Sequence, residues 1–201
     1  MRLRAEGLRC EGLGPIDLAV EAGDCLCLSG PSGAGKTRLL RMLADLDPHQ
    51  GSCYLDGVAS ARIPPPQWRK QVALLPAESR WWGVSVADHF PTDCLLELSS
   101  IDLPDKAWQW HVDRLSSGER QRLALLRVLA NQPKVLLLDE PTANLDTRNA
   151  ERIEALIADY QCNHQAAVIW VSHDAAQIAR VSQRQLRIEQ GRLLTTSEAA
   201  A

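Results

Sequence analysis

Eight consecutive residues, Gly30-Pro31-Ser32-Gly33-Ala34-Gly35-Lys36-Thr37, have the spacing G-x-x-x-x-G-K-[ST]. Their types suit one task, the grip on a chain of phosphates. Glycines let the backbone wrap close to phosphate oxygens, and N–H groups at a helix start present positive potential. Lys36 is placed to reach the β- and γ-phosphates, and the Thr37 hydroxyl to ligate Mg²⁺. Further along, four apolar residues at 135–138 run into Asp139-Glu140. Two acids at the carboxyl end of a buried strand lie where open α/β sheets bind ligands. Asp139 is expected to hold the metal, directly or through water, and Glu140 to polarise an attacking water. Taken alone, the same acids would read as caps on the next segment; the phosphate loop decides against that.

Residues of this kind need rigid elements behind them. Apolar alternation or runs predict strands at 16–20, 24–29, 51–56, 72–75, 135–138 and 166–171, with a closing hairpin at 186–189 and 192–195. Helical periodicity predicts helices at 35–44, 118–131 and 147–160, and weaker ones at 84–90, 93–98 and 105–114. Pro64-Pro65-Pro66 reads as a stiff loop. Strands alternating with helices predict an α/β fold with a mostly parallel sheet covered on both faces. The weakly patterned stretch interrupts that alternation as an inserted, compact helical lobe.

Composition narrows the function. The chain has 201 residues and a formal charge of −3, with a pI near 6.0. That balance argues against an electrostatically driven nucleic-acid binder. No apolar run reaches the length of a membrane span, and the start lacks the apolar stretch of a secretion signal. Six cysteines are scattered without a CxxC pair, which reads as reduced cytosolic thiols rather than a metal site.

Leu115-Ser116-Ser117-Gly118-Glu119-Arg120-Gln121 resembles the signature motif of ATP-binding cassette (ABC) ATPases. Ser117 replaces a glycine of the commonest form and Glu119 replaces its glutamine. Read on residue types alone, the segment is an ordinary helix N-cap or an anion site at a helix start. Pro141-Thr142-Ala143-Asn144-Leu145-Asp146 resembles the family's segment after the catalytic glutamate, and Val171-Ser172-His173-Asp174 its switch-histidine segment. The resemblance implies a P-loop NTPase (RecA-like) core at about 1–82 and 132–201, N-terminal antiparallel strands, and a helical signature subdomain at about 83–131. It implies Mg²⁺-dependent ATP hydrolysis with Glu140, His173 and Lys36 catalytic. Residues 30–37 bind ATP; Ser116, Ser117, Gly118, Glu119 and Asp146 act on it across a nucleotide-dependent, head-to-tail dimer. The implied setting is the cytoplasmic face of the inner or plasma membrane, beneath an integral membrane permease. Two rival readings are a regulatory nucleotide-binding subunit with weak hydrolysis and a non-transport ABC ATPase.

Two departures stand out. Where the family usually carries a metal-ligating glutamine after the 72–75 strand, this chain has Ala77, with Glu78 beside it. Where an aromatic ring usually stacks on adenine, near residue 10, Leu8-Arg9-Cys10-Glu11 has none. Four of the six tryptophans, Trp81, Trp82, Trp108 and Trp110, fall in the lobe. They read as its core, or in part as a permease-facing groove.

Overall fold

The computed structural model describes residues 1–91, 96–182 and 184–195. Their strands form two sheets. One is antiparallel, in the order β2 (Leu13–Val20), β1 (Leu3–Cys10), β4 (Gln50–Leu55), β5 (Val58–Ala59). The other runs β10 (Arg192–Thr195), β9 (Arg184–Glu189), β3 (Cys25–Ser29), β8 (Ala167–Val171), β7 (Val135–Asp139), β6 (Val72–Leu75). It is parallel throughout except for the β9–β10 hairpin. Every residue of β7 and β8 is buried, as central parallel strands must be when both faces are covered. Their side chains alternate between two apolar clusters. Leu137 and Ile169 join α1 (Lys36–Leu43) and the antiparallel sheet. Leu136, Leu138 and Trp170 face α3 (Ser117–Leu129) and α4 (Thr147–His164).

The expected mixed sheet, N-terminal antiparallel strands and terminal hairpin are present, and three local expectations need correction. Strand β1 escaped the sequence pattern because Gly7 (φ 58°) sits at a register shift between Ala5 and Leu8. Such a bulge breaks the period-2 alternation. The triple proline is not a loop: Pro64 precedes and Pro65 opens α2 (Pro65–Gln71). Proline suits a first turn, where its fixed φ fits and its missing N–H is not needed. That helix buries Trp68, whose Nε1–H donates to the Leu43 carbonyl at 2.9 Å.

The lobe is also less helical than expected. Instead of helices at 84–90 and 105–114 there are 3₁₀ turns at Ala87–His89, Asp105–Gln109 and Val112–Arg114, with another at Leu98–Ile101. Of the expected helix at 93–98, residues 93–95 lie outside the described residues, and 96–98 hold only the start of the Leu98–Ile101 turn. Side chains have taken the backbone donors a helix would use. Trp82 and Gly83 N–H both donate to His89 Nε2 at 2.9 Å. Val84 and Ser85 N–H donate to Asp88 Oδ2 at 3.0 and 2.7 Å. Local side-chain bonds of this sort compete directly with helix formation. Among the lobe's tryptophans, Trp81, Trp108 and Trp110 pack on its apolar cluster, while Trp82 is 74% exposed. The Arg127 guanidinium lies over the Trp81 and Trp82 rings.

Candidate nucleotide-binding site

Strand β3 ends at Ser29 and α1 begins at Lys36, so the loop 30–36 caps the carboxyl edge of the parallel sheet. Gly30, Gly33 and Gly35 have φ of 142°, 78° and 105°, a region that L side chains rarely adopt. At Gly30 a Cβ would also come within 2.3 Å of the Ile188 carbonyl. Inside the loop, Lys36 is 7% exposed and its Nζ donates to the Gly30 and Pro31 carbonyls at 2.9 Å each. Burial lowers the lysine's pKa, and the Glu140 and Asp139 charges resist. The loop thus holds its own cation folded over its backbone.

Thr37, the next residue, reaches β7. Its Oγ1–H donates to Asp139 Oδ2 at 2.7 Å. Asp139 is 4% exposed. Burial pushes its carboxyl above the usual range; the Thr37 bond and the Lys36 charge pull against that, and the Glu140 charge adds to it. Glu140 follows with φ 50° and donates its N–H to the Val171 carbonyl at 3.2 Å. This left-handed conformation is uncommon away from glycine, and it turns the chain sharply at the strand's end. Glu140 Oε1 then lies 3.1 Å from His173 Nε2.

His173 stands just past β8, beside a network that its neighbour Ser172 begins. Ser172 Oγ–H donates to Gln177 Oε1 at 2.8 Å, and Gln177 Nε2 donates to Thr142 Oγ1 and Glu154 Oε1 at 2.7 and 2.8 Å. Asp174 caps α5 (Ala175–Val181) by accepting from the Ala176 and Gln177 N–H groups. These bonds tie the ends of β7 and β8 together. A cavity of about 350 Å³ lies there, with Glu140, Thr142, His173 and Gln177 in its walls.

The fold therefore gathers Lys36, Thr37, Asp139, Glu140 and His173 at one edge. Ser116–Glu119 and Asp146 are not part of that gathering: no hydrogen bond or ion pair joins them to the 30–37 loop among the described residues. Ser116 caps α3 in a full capping box. Glu119 Oε2 accepts from both Ser116 N–H and Ser116 Oγ–H at 2.8 Å. Asp146 caps α4 through the Asn149 N–H.

Sequence reasoning missed what holds these two caps in place relative to each other. Arg122, 8% exposed, donates from Nη1 to the Ile101 carbonyl at 2.7 Å and to Asn149 Oδ1 at 2.9 Å. Asn149 Nδ2 in turn donates to Asp146 Oδ2 at 2.7 Å. The signal was available: an arginine among the apolar residues of the chain's best helix, beside Leu123 and Leu126, needs a buried acceptor. The other departures also have places. Leu75 pairs with Leu138, so Ala77, which is exposed, lies just beyond the level of Asp139. Glu78 is exposed too.

A phosphate-gripping loop between β3 and α1, with an acid pair at the end of β7, one strand beyond β8 in the same sheet, defines a P-loop nucleoside triphosphatase fold. The ABC transporter family profile matches residues 13–143, well over half of the chain, and the chain belongs to that family as an ATP-binding cassette, a class of ATPases. It is 37% identical over 183 residues to an aliphatic sulfonates import ATP-binding protein, SsuB 3, of Rhodococcus jostii, covering 89% of this chain and 66% of that protein. It is 34% identical over 179 residues to a probable iron export ATP-binding protein, FetA, of Escherichia coli, covering 83% and 80%. The fold matches a dimeric ATP-binding cassette solved in a post-hydrolysis state with ADP and Pi, with a TM-score of 0.79 at 21% identity, over 96% of this chain and 98% of that one.

Proposed function

We propose that this chain binds and hydrolyses ATP to drive an integral membrane permease, by closing and reopening a head-to-tail dimer. The observation that carries the reading is the chain of contacts from the phosphate loop through Thr37 to Asp139, continuing at Glu140 to His173. The residues of 30–37 grip the phosphates, with Lys36 released from its two carbonyls onto the β- and γ-oxygens. Glu140 accepts a proton from the attacking water, and His173, at hydrogen-bond distance, orients it. Thr37 and Asp139 fit Mg²⁺: both offer hard oxygen donors, and Asp139 is a buried carboxylate whose one hydrogen-bond partner among the described residues is Thr37. Bound there, the ion would neutralise phosphate charge.

The distance in the fold between the two halves of the predicted site supports the dimer. Ser116, Ser117, Gly118 and Glu119, with Asp146, lie apart from this chain's own phosphate loop and are read as completing the site of a second subunit. We read 1–82 and 132–201 as the catalytic core and 83–131 as the lobe that meets the permease. The relatives' names, one an import and one an export subunit, support a common motor beneath different permeases on the cytoplasmic face of the membrane. No helix among the described residues is long and apolar enough to cross a membrane, so the membrane part belongs to another chain or segment. Glu140→Gln is the test. It should abolish steady-state phosphate release while retaining ATP, and light scattering should show an ATP-dependent dimer. Hydrolysis at the parental rate would remove Glu140 from its role.

A further inference from the structure

A second cavity, about 610 Å³, borders Arg38 in the first turn of α1 and lies away from Glu140 and His173. Thr37 reaches Asp139 while Arg38, one residue on, donates from Nη1 to the Glu11 carbonyl at 2.7 Å. The first turn of α1 therefore separates the acid pair from this cavity. Leu13 closes the gap behind, since its methyls would lie 3.1–3.3 Å from a Cβ at Gly35. On the proposed function, a triphosphate with its γ end toward Glu140 directs its nucleoside into this cavity, and the inference rests on that reading.

The walls include Arg9, Cys10, Arg38, Asp47, His49 and Gln50, and no Phe, Tyr or Trp. Nothing there offers a broad apolar ring for a base of any kind. What it offers is polar groups: the Arg9 and Arg38 guanidiniums, and the Glu11 and Asp47 carboxylates. Arg41 engages Asp47 with two bonds, at 2.8 and 2.7 Å, so that carboxylate is already matched. Arg9 is held at its elbow, Nε donating to Gln50 Oε1 at 2.9 Å. Its two Nη groups have no partner among the described residues, and the side chain is exposed to the cavity.

A guanidinium has only donors. Guanine presents two adjacent acceptors, O6 and N7, which an arginine fork matches bidentately; adenine presents N7 beside a donating amino group, which it does not match. We propose that Arg9 is a base-reading residue and that this cassette takes GTP at least as readily as ATP.

The experiment measures kcat/KM for ATP, GTP and ITP in the parent, Arg9→Ala and Arg9→Gln, with nucleotide affinity measured separately by calorimetry in the Glu140→Gln background. ITP keeps O6 and N7 but lacks the 2-amino group, so it should follow GTP. Arg9→Ala should weaken GTP and ITP about tenfold relative to ATP, the scale of one bidentate base contact. Arg9→Gln should turn the preference toward ATP, because a glutamine amide matches adenine N6 and N7. Arg9 is exposed, so melting temperatures should not move. A parent that prefers ATP over GTP, or an Arg9→Ala variant that weakens all three nucleotides equally, would overturn the proposal. If no nucleotide binds the parent at all, the site reading beneath it fails, and the base assignment with it.

Discussion

Arg122→Met removes a cation from the interior while nearly preserving length and apolar stem. Two short bonds go with it, besides two long ones to the Gly118 and Asp102 carbonyls at 3.4 Å each. The Ile101 carbonyl loses its 2.7 Å donor inside the lobe, where no water replaces it. Leaving a buried acceptor unpaired costs about 1–3 kcal/mol. Asn149 Oδ1 loses its 2.9 Å donor as well, but Asn149 is half-buried and water can reach it. That loss is about 0.5–1.5 kcal/mol. Together the substitution should cost about 2–4 kcal/mol. For a domain of this size each kcal/mol moves Tm by about 2–4 °C, so Tm should fall by roughly 5–15 °C. Asn149→Ala separates stability from function. It spares the Ile101 bond and removes both side-chain bonds of Asn149, the one from Arg122 and the one to Asp146, so its melt should shift by a few degrees. ATP-dependent dimerisation should nonetheless weaken, because Asp146 loses the Nδ2 donor that fixes its second oxygen. Circular dichroism melts and light scattering in the Glu140→Gln background measure the two effects. An Arg122→Met protein melting within 2 °C of its parent would refute the assignment of this arginine as the tie between the two caps.

Three further outcomes are expected. Arg41 holds Asp47 below the usual carboxylate range through its side-chain bonds; such a group stabilises the fold above its ordinary pKa, and the gain is lost as pH falls through the depressed one. Asp47→Asn should therefore melt below the parent at neutral pH, with the gap closing as the solution is acidified below about pH 4. Ala77→Gln puts an amide oxygen just beyond the level of Asp139 and should raise turnover or steepen its Mg²⁺ dependence; phosphate release titrated against Mg²⁺ checks it. Glu119→Gln replaces a charge that now accepts both donors of Ser116; an incoming phosphate would no longer compete with a carboxylate, so ATP-dependent dimers should form at lower ATP concentration in scattering measurements.

Residues that grip phosphate were legible because their geometry is local. A loop that must wrap an anion needs glycines at fixed offsets, and a buried strand that ends in acids shows four apolar letters before them. A mostly parallel sheet followed from the alternation of strands and helices, whereas its order, β3–β8–β7–β6, came from the fold. What escaped was set by contacts distant in sequence or by side chains that override the backbone pattern. At 84–90 the expected helix is a 3₁₀ turn, with Asp88 and His89 absorbing the four successive N–H groups before it. No periodicity reveals that, since both residues also read as ordinary helix-surface types. Strand β1 was lost to one bulge at Gly7, and α2 to a proline triplet that happens to begin a helix rather than end one.

Ser116 illustrates why a motif can be read correctly in two ways. On residue types it is a helix cap, and in the fold it is one: its hydroxyl accepts from the Glu119 N–H at 3.2 Å and donates to the Glu119 carboxylate at 2.8 Å. The donors that a cap uses are the donors that an anion would want, because both answer the unpaired N–H groups and positive end of a helix. The Glu119 carboxylate thus occupies, within one chain, the place that the phosphate of a second subunit's nucleotide would take on the proposed dimer. On the proposed dimer, capping and phosphate capture would be successive states of one set of donors. The sequence could name the donors, but only the fold shows that a neighbouring carboxylate already holds them.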